Sequence, residues 1–313
     1  MRMFKKLFCL LCILLMLVPA SLADGEFPEL NAEGFLDEGE FVYANEDEGV
    51  WRYASQNLKV EILRKTEEKP IKVRWYEAEV WSKGDEVWRV FTNEEGKHMS
   101  FASWPYIVAQ KNQTVLAINT DYAHGRYPSK NKNVGIIIRN GKVFWEKTRK
   151  ATSKGFPNLD VLALYPDGRM EVYDSDEKTA DEYLAMGVDT TLAFGPYLIR
   201  DGVLNQAGLD ELSNSRAPRV AIGMVEPGHT FAMMLEGRSK ESKGGTVDFL
   251  AEKLLERGCT VGFNLDGGET GCMLFMGEQI NIVGGTKNKG GSARRTTEIL
   301  GIGVSELVPD WEQ

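Results

Sequence analysis

The sequence predicts an α+β protein, mostly antiparallel hairpin-rich sheets with a few packed helices, in a single large domain. Three features lead there. Apolar and polar residues alternate with period two in many short stretches, the pattern of half-buried strands. Turn dipeptides separate those stretches, as at Asn140-Gly141, Asp167-Gly168, Asp201-Gly202 and Pro227-Gly228. Only a few segments carry helix start and stop signals, and no change of composition after Gly49 marks a second domain.

The chain begins with an export pattern. Arg2, Lys5 and Lys6 precede an apolar run from Leu7 to Val18, and Pro19-Ala20-Ser21-Leu22-Ala23 supplies a small-residue cleavage site. Residues 1–23 are therefore expected to be a signal peptide and the mature protein to be secreted, with no membrane span after its removal. The apolar run is too short to span a bilayer comfortably. Losing these three cations takes the formal charge from −9 to −12. So acidic a chain has no general attraction for nucleic acid or anionic membranes. Residues 24–48 contain ten acidic side chains and little periodicity, and read as a flexible leader. The folded domain is expected over 49–313.

Within it, Val50–Tyr53, Leu58–Ile62, Val73–Trp81 and Trp88–Phe91 alternate as strands whose short connections make them antiparallel. Ser103 and Pro105 mark a helix start, with proline in the first turn where its missing N–H does no harm, and the helix runs to about Lys111. Val115–Ile118 is a buried strand ending in Asn119-Thr120-Asp121. Hairpins follow around the four turn dipeptides, interrupted by a helix with Ser175 as N-cap and Gly187 beyond its last turn. The clearest helix spans Val247 to Arg257. Thr246 caps it, Val247, Leu250, Ala251 and Leu254 form one apolar face, and Gly258 ends it.

That helix leads into Val261–Leu265, a strand delivering Asn264 and Asp266 to a turn built on Gly267 and Gly268, with Glu269 and Thr270 next. The Asn-x-Asp at 264–266 echoes 119–121, which suggests two strand ends opening on one cleft. Cys259 and Cys272 flank the stretch and form either a disulfide or two buried free thiols.

Several chemistries lack their motifs. There is no HExxH, and His98, His124 and His229 are far apart, which argues against a zinc site. There is no G-x-S-x-G elbow. Gly284–Ser292 lacks the spacing of a P-loop and reads as a mobile loop or an anion-binding nest. What remains is a set of carboxylates (Asp121, Asp266, Glu236, Glu269) and arginines (Arg216, Arg219, Arg238, Arg294, Arg295) at loop ends of apolar strands. Arginines so placed suit a fixed anion such as phosphate, through bidentate hydrogen bonds.

These residues carry a family resemblance. From about Gly49 to Val304 the chain resembles the phosphodiester glycosidase family, whose hallmark Asn-Leu-Asp-Gly-Gly-Gly-Ser-Ser run is matched by Asn264–Gly268 and then Met273. Pro218–Gly223 is similar to the family's Arg-Thr-Ala-Ile-Gly strand, Glu236-Gly237-Arg238 to its Asp-Gly-Arg, and Asn119–Tyr122 to its Asn-Gly segment. Gly195–Leu198 with Asp201-Gly202, and Gly135 with Asn140-Gly141, fit two of its hairpins. The chain departs at Glu269, which stands for the third glycine, at Thr270-Gly271-Cys272 for Ser-Ser-Thr, and at Thr120 for glycine. Glu269 would place a negative charge beside an anionic substrate and raise neighbouring carboxylate pKa values.

The resemblance implies an exported hydrolase that cleaves a sugar-1-phosphodiester in a glycan or cell-surface polymer. Arg219 and Arg238, with Arg295, would hold the phosphate. Asp266 would be the first catalytic carboxylate and Asp121 the second. Asn264 and Thr270 would bond sugar hydroxyls, with Asn119, Glu236, Gly267 and Gly268 completing the binding site. No cofactor is expected. Two alternatives stand beside it. One is a non-catalytic carbohydrate or cell-wall binding module using Trp104, Tyr106, Tyr122 and Tyr127. The other is a metal-dependent phosphodiesterase with Asp121, Asp266 and Glu269 on a divalent cation.

Overall fold

A computed structural model describes residues 25–94, 96–99, 101–122, 135–148, 159–211, 215–285 and 291–311. The expected signal peptide, His124, Tyr127 and the middle of the Gly284–Ser292 loop lie outside the described residues.

The chain opens with β1 (Phe41–Asn45), β2 (Val50–Ala54), β3 (Leu58–Glu67), β4 (Val73–Ser82) and β5 (Arg89–Thr92). Helix α1 (Pro105–Lys111) leads to β6 (Thr114–Asn119), β7 (Gly135–Arg139), β8 (Lys142–Lys147), β9 (Asp160–Leu164) and β10 (Met170–Tyr173). After α2 (Ala180–Ala185) come β11 (Thr190–Phe194), β12 (Tyr197–Arg200), β13 (Val203–Leu204) and α3 (Gln206–Glu211). The long hairpin β14 (Arg219–Glu226) and β15 (His229–Leu235) precedes α4 (Val247–Glu256) and β16 (Val261–Leu265). The last strands are β17 (Met273–Phe275), β18 (Glu278–Gln279) and β19 (Glu298–Val304).

Nine strands form one sheet in the order β1-β2-β3-β4-β15-β14-β16-β12-β13. A second sheet runs β18-β17-β6-β19-β5, and smaller ones are β10-β9-β11 and β7-β8. Every pairing among the described strands that carries the site is antiparallel, as the hairpin pattern predicts. Strand alternation sorts the core into layers. Val220, Ile222 and Met224 of β14 meet Leu116 and Ile118 of β6 and Leu300 of β19 in the space between the two large sheets. On the opposite face Ala221 packs with Met233, Leu235 and the α4 residues Leu250, Ala251 and Leu254. Helix α1 covers the far side of the second sheet through Val108 and Ala109.

Local signals explain the hairpins. Asn140 and Gly141 both take positive φ (49° and 67°), the conformation a two-residue turn between β7 and β8 requires. Asp201 and Gly202 do the same between β12 and β13. Helix α4 is capped as expected, with Thr246 accepting from the Phe249 amide.

Three expectations need correction. The N-cap of α2 is Thr179, not Ser175, because only Thr179 has a glutamate three residues on, and Glu182 closes a reciprocal capping box. The stretch read as a flexible leader contains β1, paired along its length with β2, and Tyr53 binds Glu40 through its hydroxyl. Gly49 therefore lies in a turn between two strands. Finally, β5 leaves its sequence neighbours and pairs with β19 in the second sheet. No helix among the described residues is long and apolar enough to cross a membrane.

Candidate active site

Antiparallel register gathers three loop ends at one end of the large sheet. Arg219 begins β14 opposite Leu235, the last residue of β15, while Val220 pairs with Leu265 at the end of β16. Extending that register by one residue sets Asp266 beside Arg219, and Arg238 follows β15 by three residues. The loop 266–272 then carries the chain into β17 of the second sheet, so the glycine turn is also the crossing between the two large sheets.

That crossing is tightly packed, which explains its glycines. The Gly268 amide donates to the Pro218 carbonyl (2.9 Å). A Cβ on Gly267 would lie 2.5 Å from the same oxygen, closer than atoms approach. Gly268 has φ +62°, and a Cβ there would stand 3.6 Å from Nη1 of Arg238. The glycine turn is thus held between the Pro218-Arg219 backbone and the Arg238 guanidinium. Arg238 itself has φ +59°, a left-handed conformation that costs energy for a residue with a side chain. The loop that holds it is stapled by Ser242, whose hydroxyl donates to the Glu236 carbonyl at 2.7 Å.

Within this frame Asp266 is partly buried and accepts a hydrogen bond from the Thr270 hydroxyl (3.1 Å). Arg219 is also partly buried; its Nη2 donates to the Ser215 carbonyl at 2.9 Å, and its Nε has no hydrogen-bond partner. Burial and then the nearby Arg238 charge push the Arg219 guanidinium below its ordinary pKa. Neither arginine forms an ion pair among the described residues. Two neighbouring guanidiniums with no ion-pair partner among the described residues are suited to an anion.

Glu269, read from the sequence as an added negative charge, is balanced. Its Oε2 lies 3.3 Å from Nη2 of Arg294, and the Arg294 amide donates to the Glu269 carbonyl at 2.8 Å.

Other expected ligands turn inward. Asn119 is fully buried; its amide donates to the Asp266 carbonyl (2.7 Å), and its Oδ1 accepts from the Cys272 amide (3.1 Å). Asn264 is buried and donates to the Gly195 carbonyl at 2.8 Å. Thr270 is buried with its hydroxyl on Asp266 rather than open to a sugar. Glu236, raised in pKa chiefly by burial, accepts from the Ile282 amide (2.7 Å) and the Tyr76 hydroxyl (3.2 Å). Arg295 does the opposite: it is exposed and lies over the Trp104 ring, 5.2 Å from its centroid.

The two Asn-x-Asp strand ends do meet, through Asn119 and the Asp266 backbone, but Asp121 points elsewhere. Its carboxylate is buried, accepts from the Ala193 amide at 2.8 Å, and stands 3.9 Å from Nη2 of Arg139. Arg139 also binds Glu298 at 2.9 Å, and Glu298 takes Nδ1 of His98 at 2.9 Å. Burial alone would raise the Glu298 carboxyl; Arg139 and His98 outweigh it and hold it at about 2. Sequence reasoning missed this buried network. Its one local trace is an arginine closing the apolar run Gly135–Ile138. Among the described residues no three acids, histidines or cysteines gather as a metal site, and Asp121 of the alternative metal reading is turned to Arg139. Cys259 and Cys272 are both free, buried thiols, not a disulfide.

Comparison with known proteins agrees with this architecture. Residues 112–303 match the family model described as phosphodiester glycosidase. A SPbeta prophage-derived uncharacterized protein of Bacillus subtilis is 29% identical over 178 residues, 56% of this chain and 26% of that protein. The chain thus spans about a quarter of the length of that curated relative. The zebrafish N-acetylglucosamine-1-phosphodiester alpha-N-acetylglucosaminidase catalytic domain, solved auto-inhibited by its pro-peptide, superposes with a TM-score of 0.62 at 15% identity, over 88% of this chain and 90% of that one. A hypothetical protein from Synechocystis gives 0.51 at 12% identity, over 80% and 63%. At such identities the two structures speak to the fold alone.

Proposed function

Because the chain belongs to the phosphodiester glycosidase family, we propose that it is an exported hydrolase that cleaves a sugar-1-phosphodiester between the anomeric carbon and the phosphate oxygen. The observation that carries this reading is the pair of guanidiniums, Arg219 and Arg238, beside the Asp266 turn with no carboxylate paired to either among the described residues. The signal-like residues 1–23 support export.

The chemistry follows from what leaves. A phosphomonoester is a better leaving group than a sugar alkoxide, so protonating it matters less than neutralising its charge. Arg219 and Arg238 bind the phosphate oxygens and stabilise the charge that builds there as the C–O bond breaks. The sugar carbon becomes oxocarbenium-like, and the Asp266 carboxylate stabilises it. The Thr270 hydroxyl and the Asn119 clamp on the Asp266 backbone fix that carboxylate in place. Water adds to the anomeric carbon; a free sugar and a phosphomonoester leave. Glu269 does not repel the phosphate, because Arg294 offsets its charge.

The test is turnover of sugar-1-phosphodiesters by purified protein and by Asp266→Asn. Release of free sugar by the wild type and loss of at least a hundredfold in kcat with the variant are expected. Full activity of Asp266→Asn would remove Asp266 from this role.

A further inference from the structure

The Glu269–Arg294 pair lies outside the proposed phosphate grip of Arg219 and Arg238, yet it adjoins it. Glu269 follows Gly268, against which the Arg238 guanidinium rests. Both side chains of the pair keep more than a quarter of their surface exposed, at 29% for Glu269 and 28% for Arg294. Their contact is single and long, 3.3 Å between Nη2 and Oε2, where a charge-assisted bond prefers less than 3 Å. It therefore leaves hydrogen-bonding atoms unused. Among the described residues Oε1 of Glu269 has no hydrogen-bond partner, and neither do Nε and Nη1 of Arg294. The hydrogen bond from the Arg294 amide to the Glu269 carbonyl holds the two residues in register, so these atoms are positioned before any ligand arrives. Oε1 also reaches toward the neighbouring segment, to 3.9 Å from where a Cβ on Gly285 would sit. The carboxylate thus occupies the space between the glycine turn and residue 285.

We propose that Glu269 and Arg294 form the sugar-recognition subsite, and that they select a sugar with free hydroxyls on the ring face beside them over its N-acetylated counterpart. This rests on the phosphodiester reading of the same site. A hydroxyl is both donor and acceptor, so a pair of neighbouring hydroxyls can give a proton to Oε1 and accept one from Arg294. On a ring carbon facing the pair, an acetamido group is several atoms larger than a hydroxyl and competes with the Glu269 side chain for space. Its carbonyl oxygen has no proton to offer the carboxylate. The pair has no net charge, so a charged sugar gains nothing over a neutral one.

Binding is measured by calorimetry in Asp266→Asn, so that no turnover is needed, with the methyl phosphodiesters of glucose 1-phosphate and N-acetylglucosamine 1-phosphate and with inorganic phosphate. The glucose diester is expected to bind about tenfold or more tightly than the N-acetylated one. Glu269→Gly should erase or reverse that ratio, and Glu269→Gln, which keeps the shape and weakens the acceptor, should give a smaller loss. Equal affinity for the two diesters in Asp266→Asn, or a ratio that Glu269→Gly does not move, overturns the proposal. If inorganic phosphate binds in either case, the phosphodiester reading stands without it. Failure of all three ligands to bind overturns both.

Discussion

Asn119 gives its side-chain amide to the backbone carbonyl of Asp266 across 2.7 Å, joining the end of β6 to the end of β16. Its other side-chain atom, Oδ1, receives the Cys272 amide, so one buried residue grips both ends of the 266–272 crossing. The position of Asp266 therefore depends on a residue in the other large sheet.

Asn119→Ala removes three hydrogen bonds, to the Thr120 and Asp266 carbonyls and from the Cys272 amide. Each costs about 1–3 kcal/mol, and the loss should appear as a lower urea midpoint. Activity should fall further than stability explains, because the Asp266 loop is released. Asn119→Asp keeps the acceptor for Cys272 but sets a buried carboxylate against the Thr120 and Asp266 carbonyls, and should cost at least as much as alanine.

Arg219 and Arg238 repel one another until an anion lies between them. Inorganic phosphate is expected to raise the melting temperature of the wild type, and the shift should vanish in Arg219→Gln and Arg238→Gln. For a sugar phosphodiester each substitution should lower kcat/KM by about tenfold to a hundredfold. A melting temperature unmoved by phosphate in the wild type would argue against an anion site.

Two buried carboxylates give opposite pH signatures. Glu298 is held at about 2 against an ordinary 4.5, so its stabilisation is present above pH 4.5 and is lost as pH falls toward 2. The shift corresponds to about 3 kcal/mol. Asp160, where burial is the main cause, is raised to about 6 from an ordinary 3.8. The folded protein then holds that proton more tightly, and stability is lost as pH rises from 3.8 through 6. Urea unfolding across pH should show the deficit of Glu298→Gln growing between pH 2 and 5. Asp160→Asn should gain on the wild type between pH 4 and 7.

The two thiols sit in different apolar clusters, Cys259 near α4 and Cys272 near α1. Burial pushes both up to about 12. Reductant should leave the melting temperature unchanged, and iodoacetamide should label both only in denaturant. A mass decrease showing a disulfide in the folded protein would contradict this.

What the sequence made legible was what local chemistry decides. Pro105 starts α1, Asn140-Gly141 turns β7 into β8, and Thr246 caps α4, each because one or two residues set the backbone there. Ser175 is not the N-cap of α2 because the glutamate at 182 closes a capping box with Thr179. Partners far apart in sequence were beyond such reading. β5 pairs with β19, and Arg139 meets Glu298 and Asp121, through contacts that no spacing reveals. The candidate site divides the same way. Polar residues at strand ends stood out as a group, but only the folded chain separates those facing the arginine pair from those turned inward. Asn119, Glu236 and Asp121 spend polar atoms on backbone amides and carbonyls of neighbouring segments, and Asn264 gives its amide to Gly195 while its buried Oδ1 has no hydrogen-bond partner. Glu269 looked like an uncompensated charge because Arg294 lies 25 residues away.

The proposed reaction breaks the bond between sugar carbon and phosphate oxygen, with the arginines on the phosphate and Asp266 on the sugar. Hydrolysis of a sugar-1-phosphodiester in oxygen-18 water, followed by mass spectrometry of both products, tests it most directly. Label in the anomeric hydroxyl of the free sugar, with an unlabelled phosphomonoester, is the predicted result. Label in the phosphate would mean attack at phosphorus, and the proposed reaction would be wrong.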